Sequence, residues 1–315
     1  MDFRQLQYVL KVAACGSITK AANELYMAQP SLSNCIGKVE KELGVLLFDR
    51  SVNPIQLTLA GEEYVKEAKR ILYIQEQLQK KLQDISQVSR RRVRIGISHE
   101  RGIFMLPRIL PVFRERFPEV SVEVVPGSHK KLSALLSEGM LDIVMLPTIE
   151  KTADFRYIDV YEEEIMVCAG AGIVRSEHLY EGKWDMIDPD RCGSIPFIKM
   201  EPGHVITHAF DRVFTGKMNI VFEAYSSAEA LRLAAAGMGA CLVPQMTLDM
   251  IRYDHATRAY SIGPRPVTWP VCACMRKDAY VGSVEKALIQ IAQESMGRYT
   301  ERIHEKLKSL SESFR

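Results

Sequence analysis

Ser17 to Gly44 read SITKAANELYMAQPSLSNCIGKVEKELG, and the spacing of their apolar residues predicts two helices joined by a tight connection. Ile18, Ala21, Ala22 and Leu25 fall at i, i+3, i+4 and i+7, the one-faced stripe of an amphipathic helix. Ser17 stands just ahead, where its hydroxyl can accept from free first-turn N–H groups. Tyr26, Met27 and Ala28 make the turn. Pro30 opens the second helix, where its missing N–H has no helical partner to lose. Leu32, Ile36, Val39 and Leu43 continue inward, and Gly44 closes the helix.

Two helices joined by three residues form a helix-turn-helix, whose second helix fits a DNA major groove. Gln29, Ser31, Ser33, Asn34 and Lys38 face outward, side chains that reach base edges and phosphates. An ordinary helical hairpin with a solvated face would look the same, so the flanks decide. Residues 3 to 14 predict a first helix with Phe3, Leu6, Val9, Leu10 and Ala13 inward. Val45-Leu46-Leu47-Phe48 and Ile55-Gln56-Leu57 flank the turn Ser51-Val52-Asn53-Pro54, a small hairpin. Three helices and a hairpin make a winged helix-turn-helix.

Thr58 can cap the next helix. From Tyr64 a heptad runs with Tyr64, Ile71, Leu78 and Ile85 at d and Ala68, Gln75, Leu82 and Ser89 at a. A narrow seam flanked by charge is the mark of helix pairing. About 30 residues at about 1.5 Å each reach about 45 Å, too long for one small domain to cover, so a dimer through this helix is expected. Ser89 to Arg94, SRRRVR, reads as a solvated linker or a second DNA contact. From Val93 strands and helices alternate, which implies a mostly parallel sheet with helices on its faces. Strands are expected at 93–97, 120–125, 141–146, 165–169, 197–200, 220–224, 239–243 and 271–275. Helices are expected at 102–117, 130–138, 205–214, 228–236 and 283–295. Tyr299, Ile303, Leu307, Leu310 and Phe314 then continue as an amphipathic tail.

Two such α/β units joined by two crossings make a hinged cleft, and ligands of these sheets sit at the carboxyl ends of the strands. Those ends carry Ser98-His99, Ser128, Thr148, Pro202-Gly203-His204 and Ser226. Several precede helices, whose N–H groups and positive dipole ends favour an anion. A small anionic effector is the expectation. Ser98, Ser128 and Ser226 are equally suited to simple helix capping.

Bulk numbers fit this layout. A chain of 315 residues, 47% apolar and 25% charged, holds two or three domains. No run of about 18 apolar residues occurs, and MDFRQLQYVL lacks the pattern of a signal peptide. A cytosolic protein with no membrane partner is expected. Seven scattered cysteines without a CxxC argue against a disulfide framework or a zinc site. Cys272 and Cys274 read as small core residues. Through Thr58 there are six basic and five acidic side chains. DNA affinity must therefore come from placement and from doubling by dimerisation, not from a basic total.

The segment AANELYMAQPSLSNCIGKVEKELGVLLFDR resembles LysR-type transcriptional regulators, as do LPRILPVFRERFPEVSVEV and GMGACLVP. The likeness covers residues 1 to about 295. It implies an α/β protein with an all-α winged helix-turn-helix domain at 1–58 (helix-turn-helix 18–37) and a dimerising linker helix at 59–89. A two-lobed doubly wound effector-binding domain at 90–295 would follow, with lobe I at 90–161 and 268–295 and lobe II at 162–267, and a tail at 296–315. It also implies homotetramers that bind promoter DNA and answer to a small co-inducer. By position, Gln29, Pro30, Ser31 and Ser33 would make groove and backbone contacts, and Arg50 would hold a phosphate. Ser98, Ser128 and Pro202 to His204 match places where relatives touch their effector. Ala28 stands where the family usually has a capping serine, at a cost of about 1 kcal/mol. Asn34 replaces a usual arginine or lysine and could read adenine. The wing is less basic than usual.

An enzyme and a transport-binding protein are the competing readings. An enzyme needs a constellation, and His204 and His208 have metal-like i, i+4 spacing without a third ligand or general base. No GxSxG, P-loop or GxGxxG motif occurs, so no enzyme and no cofactor are expected. A transport-binding protein would share the two lobes but carry no helix-turn-helix.

Overall fold

In a computed structural model, which describes residues 2–86, 92–183, 185–250 and 257–313 and side chains through residue 300, helix α1 spans Phe3–Cys15. It starts from a reciprocal cap: the Gln5 amide donates to the Asp2 carboxylate and the Asp2 amide to the Gln5 side chain, both at 2.8 Å. Helix α2 spans Ile18–Glu24, and its Lys20 amide donates to Ser17 Oγ at 3.3 Å. Helix α3 spans Gln29–Leu43 and ends on Gly44, whose φ of 73° is left-handed. Val9, Val12, Ala21, Ala22, Leu32 and Ile36 form the buried centre. A large aliphatic side chain buried this fully stabilises the fold by about 1.5–3 kcal/mol. Phe3 and Leu43, expected inward, are exposed. They are the first residue of α1 and the last of α3, where the stripe has run past the core.

The hairpin is shorter than expected. Strand β1, Phe48–Asp49, pairs antiparallel with β2, Gln56–Leu57. Val45 and Leu46 are exposed and outside it. Helix α4, Leu59–Ile85, is capped by Thr58 Oγ1, which accepts from the Gly61 amide at 3.0 Å and donates to Leu46 O at 2.7 Å. A Cβ on Gly61 would stand 2.0 Å from Leu47 O, so only glycine lets the wing backbone cross here. Further along α4, Ile74, Leu78, Leu82 and Ile85 are exposed apolar residues. The outward stripe thus uses Ile74 where the heptad placed Gln75. Ser89 lies outside the described residues, as do the next two residues of the SRRRVR junction, while Arg92, Val93 and Arg94 begin the next strand. Met1–Val88 and Ser137–Met140 make one compact unit, and Ser89–Leu136 with Leu141–Arg315 make the other.

The second unit begins with β3 (Arg92–Ile97), α5 (His99–Arg116), β4 (Ser121–Pro126), α6 (His129–Ser137) and β5 (Ile143–Pro147). Helix α5 starts three residues before the expected Gly102, because His99-Glu100-Arg101 carry no apolar signal. Then come β6 (Phe155–Gly170), β7 (Met186–Ile187), β8 (Pro196–Met200), α7 (Val205–Val213), β9 (Asn219–Ala224), α8 (Ser227–Ala235), β10 (Ala240–Pro244), α9 (Gln245–Met250), β11 (Thr257–Ile262), β12 (Thr268–Arg276) and α10 (Ser283–Ser313). The main strand order is β4-β3-β5-β12-β6-β10-β8-β9. Neighbours are parallel in each outer half and antiparallel where β12 and β6 meet β5, β10 and each other.

Strand β6 is the main departure from the expected layout. Only 165–169 was expected to be extended, yet the strand runs from Phe155. Its first half, FRYIDVYEEE, is charged enough to read as loop. Pairing with β12 from Phe155 to Glu164, then with β10 from Ile165 to Ala169, carries one strand from the first lobe into the second. Helix α10 also runs on without a break where a separate tail was expected at 296. Met296 and Tyr299 are buried, and Tyr299 meets Phe104 edge-on at 4.7 Å. The side chains of Ile303, Leu307, Leu310 and Phe314 lie outside the described residues.

Candidate DNA interface and effector cleft

Helix α3 divides by side. Leu32, Ile36 and Val39 are buried, while Gln29, Pro30, Ser31, Asn34 and Lys38 are exposed and Ser33 is half-buried. No side chain caps its first turn, since Ala28 has no hydroxyl to offer. Pro30 has no N–H, and the Ser31 and Leu32 amides donate to Ala28 O at 3.0 and 3.2 Å, which leaves the Gln29 N–H open to an acceptor such as a phosphate oxygen. Ile36 buries fully, and four residues on, the same inward side carries Glu40, 6% exposed. Its Oε1 accepts from the Leu47 amide at 2.9 Å and the Phe48 amide at 3.2 Å, and its Oε2 from Arg50 Nη2 at 2.7 Å. Glu40 thus hangs the wing on α3 and aims Arg50, whose side chain stays 41% exposed. Sequence reasoning missed Glu40. A carboxylate on an otherwise apolar helix face was the available signal.

Within the junction, Arg94 is no DNA contact. It is buried against Asp142, with Nη2 to Oδ1 at 3.2 Å, and the Asp142 carboxylate also accepts the Arg94 amide at 2.7 Å.

In the second unit the expected effector residues differ in how far they are already committed. Ser98 is the N-cap residue of α5, but its hydroxyl makes no cap bond, so it and the first turn of α5 stay available. His99 beside it is exposed. Ser128 Oγ, ahead of α6, accepts weakly from the Lys131 amide at 3.4 Å. Pro202 and Gly203 are exposed, and Gly203 has φ 87°, a conformation that favours glycine. His204 caps α7 through Nδ1, which accepts from the Ile206 amide at 3.2 Å. Burial holds the His204 pKa below its ordinary value, against the opposing pull of Glu100 and Glu201. Ser226 Oγ is used as a cap, accepting from the Glu229 amide at 3.1 Å, while Glu229 returns a carboxylate to the Tyr225 amide at 2.8 Å. Thr148 departs from expectation. It is buried, and its hydroxyl turns to Leu146 O at 3.4 Å and Cys274 Sγ at 4.0 Å. An apolar run and a shared strand end do not say which way a threonine turns.

The two lobes face each other here. Desolvation, and then the charge of His208 on α7, hold the pKa of His129 on α6 below its ordinary value. Glu100 on α5 accepts from the Ala228 amide of α8 at 3.0 Å. At the hinge, Arg101 and Glu163 form a fully buried ion pair at 2.9 Å. Tyr161 and the Trp269 indole complete it, with Arg101 Nη1 to Tyr161 Oη at 2.6 Å and Trp269 Nε1 to Glu163 Oε2 at 2.9 Å. Glu163 lies where β6 leaves the first lobe, so this network braces the crossing. Sequence reasoning missed it, because its members lie up to 168 positions apart, from Arg101 to Trp269.

Cys272 and Cys274 are core residues, as expected, and burial pushes their thiols up to about 11 and about 12. No group of three or more metal-binding side chains occurs among the described residues, and no helix among them is long and apolar enough to cross a membrane. An open apolar groove lies between α5 and the edge strand β4, lined by Ile103, Leu106, Leu110, Val122 and Val124, with Ser98 and His99 at its rim.

Residues 3–62 match the bacterial regulatory helix-turn-helix protein, lysR family, and residues 86–297 match the LysR substrate binding domain. Among curated relatives, an uncharacterized HTH-type transcriptional regulator, YcgK of Bacillus subtilis, is 27% identical, covering 94% of this chain and 95% of the relative. A probable RuBisCO transcriptional regulator of Cyanidium caldarium is 28% identical over 78% of each chain. In fold, the chain is similar to a cysteine-to-aspartate variant of full-length OxyR from Pseudomonas aeruginosa, with a TM-score of 0.72, 21% identity and 94% of each chain covered. It is also similar to full-length CbnR complexed with its target DNA, with a TM-score of 0.63, 20% identity, and 94% of this chain and 100% of CbnR covered.

Proposed function

We propose, from the premise that this chain belongs to the LysR family of DNA-binding transcriptional regulators, that it binds promoter DNA through α3 as a paired oligomer and is modulated by a small anionic effector. The observation that carries the DNA part is the division of α3, with Gln29, Ser31 and Asn34 exposed on its first turns over a buried Leu32 and Ile36. Gln29, Ser31 and Asn34 read base edges in the major groove. Pro30 and Ser33 set the close approach of the backbone, and Lys38 and Arg50 meet phosphates. Arg50 retains donors beyond the one given to Glu40.

Little net positive charge makes one copy a weak binder, so affinity depends on pairing. The exposed Ile74, Leu78, Leu82 and Ile85 on α4 support a homodimer through that helix. Two open sheet edges, β4 with its groove and β9 with exposed Ile220, Val221 and Phe222, are surfaces on which dimers pair into a homotetramer. The assignment divides the chain into a DNA-binding domain at 1–58, a linker helix at 59–89, an effector domain at 90–295 and a tail at 296–315. It places the protein in the cytoplasm, with the DNA it binds.

The effector's anion would sit at the uncapped first turn of α5 with Ser98 and His99. Ser128, Pro202, Gly203, His204 and Ser226 complete the cleft, and Thr148 backs it from the core. Thiol chemistry at Cys192, Cys272 and Cys274 is not favoured as the signal, because they are buried with thiols pushed up to about 11–12.

A gel shift with the protein's own upstream DNA tests the reading. Gln29→Ala is expected to weaken specific binding about tenfold, near the low end of one lost base contact, and Ser33→Ala to weaken it through a lost backbone contact, both leaving the oligomer intact. Footprints unchanged in both variants would refute the assignment of α3. Leu78→Glu with Leu82→Glu should yield monomers by light scattering. Calorimetry of the full chain against carboxylates should show binding, and a response confined to cations and neutral molecules would sink the anionic effector.

A further inference from the structure

Two neighbouring residues on the first turn of α5 reach in different directions. Arg101 goes to the hinge strand at Glu163. Glu100 goes across to the other lobe, where its Oε1 accepts from the Ala228 amide at 3.0 Å. Ala228 is the second residue of α8, a nine-residue helix whose N-terminal turn carries positive partial charge. The Ser226 hydroxyl already serves the Glu229 amide, and Glu100 serves the Ala228 amide. Ser227, between the cap and that amide, is 1% exposed, and its hydroxyl has no hydrogen-bond partner among the described residues. A buried hydroxyl without a partner is costly and marks a place where a further acceptor is missing.

We propose that Glu100 is a tethered anion that latches the two lobes together, occupying the N-terminal turn of α8 in place of an external anion. The inference rests on the reading of the second unit as an effector cleft and adds a device to it. An effector's anionic group that enters the cleft competes with the Glu100 carboxylate for the Ala228 amide and supplies an acceptor for Ser227. Once displaced, Glu100 no longer joins α5 to α8, while Arg101 still holds α5 to the hinge. Lobe closure then depends on the effector instead of on the chain itself. The tether also discriminates. Neutral molecules cannot match a charge-assisted bond, so only an anion exchanges with Glu100 efficiently.

Hydrogen exchange on the full-length protein without effector tests this directly, read at the Ala228 amide. In Glu100→Ala that amide should exchange at least about tenfold faster than in the wild type, the loss of one charge-assisted bond. Glu100→Gln, which keeps an acceptor oxygen, should fall between. Inorganic sulfate in the tens of millimolar should restore protection in Glu100→Ala more than chloride does at matched ionic strength. Equal protection in the wild type and both variants overturns the latch. Faster exchange that sulfate leaves unchanged overturns the exchange of anions. Glu100→Gln keeps nearly the same shape, and its melting temperature checks that it is folded. Failure of the effector-cleft reading would appear in calorimetry as no binding of carboxylates and leave the protection of this amide as it is.

Discussion

Removing the carboxylate of Glu40 should free the wing from the recognition helix. Glu40 is 6% exposed and accepts from two amides whose residues, Leu47 and Phe48, are 1% and 2% exposed. In Glu40→Ala both N–H donors lose their acceptor in a place water does not reach. Each such orphan costs about 1–3 kcal/mol. The Arg50 pair adds little, about 0.5 kcal/mol, because the arginine is 41% exposed and screened. The expected loss is about 3 kcal/mol of local stability, taking the lower half of the range for two orphans. Every 1.4 kcal/mol is tenfold, so the opening equilibrium at Leu47 and Phe48 should shift about 100-fold. Native-state hydrogen exchange read at those two amides measures it without requiring the whole chain to unfold in two states. Glu40→Gln keeps an acceptor oxygen for the amides and should lose only about 1 kcal/mol. Protection within threefold of the wild type in Glu40→Ala would refute the reasoning. So would a Glu40→Gln effect as large as that of alanine, because it would show that charge, not acceptor loss, dominates.

Three further outcomes are expected. Ala28→Ser supplies the missing cap of α3 and should stabilise the N-terminal unit by about 1 kcal/mol, read as slower amide exchange at Ser31 and Leu32. Asp142→Ala leaves the buried Arg94 without its carboxylate and should cost about 3–5 kcal/mol, visible as a large fall in the denaturation midpoint of the sheet unit. The third concerns pH. Burial lowers the His204 pKa in the folded state, so between that value and about 6.5 the unfolded chain binds the proton and the folded one does not. Stability of the sheet unit should therefore fall as pH drops below about 6.5. His204→Asn, which keeps an acceptor for the Ile206 amide, should flatten part of that slope in denaturation measured from pH 7.5 down to pH 5.5.

The local elements of this protein follow from spacing between near neighbours in the chain. Helical periodicity alone placed α2 and α3, because their apolar stripes, caps and terminating Gly44 are contiguous. The same holds for the outward set Gln29, Ser31, Asn34 and Lys38, since a residue's side of a helix follows from its number. Ser17 and Thr58 were readable as caps for the same reason. Tertiary structure alone decided what depends on partners far along the chain. Strand β6 exists through Arg156, Asp159 and Glu162 because β12, about a hundred residues away, pairs with it. Glu163 can be buried mid-strand because Arg101 and Trp269 meet it there, and Glu100 can join two lobes because the sheet brings α5 to α8. Among the serines at strand ends, Ser226 serves as a cap and Ser98 does not. The residue type is the same, and only the orientation set by packing separates the two. Short-range spacing carries the information for hydrogen bonds within a turn of helix. A charge pair spanning more than sixty residues leaves no periodic trace, since its two halves are adjacent only after the core has formed.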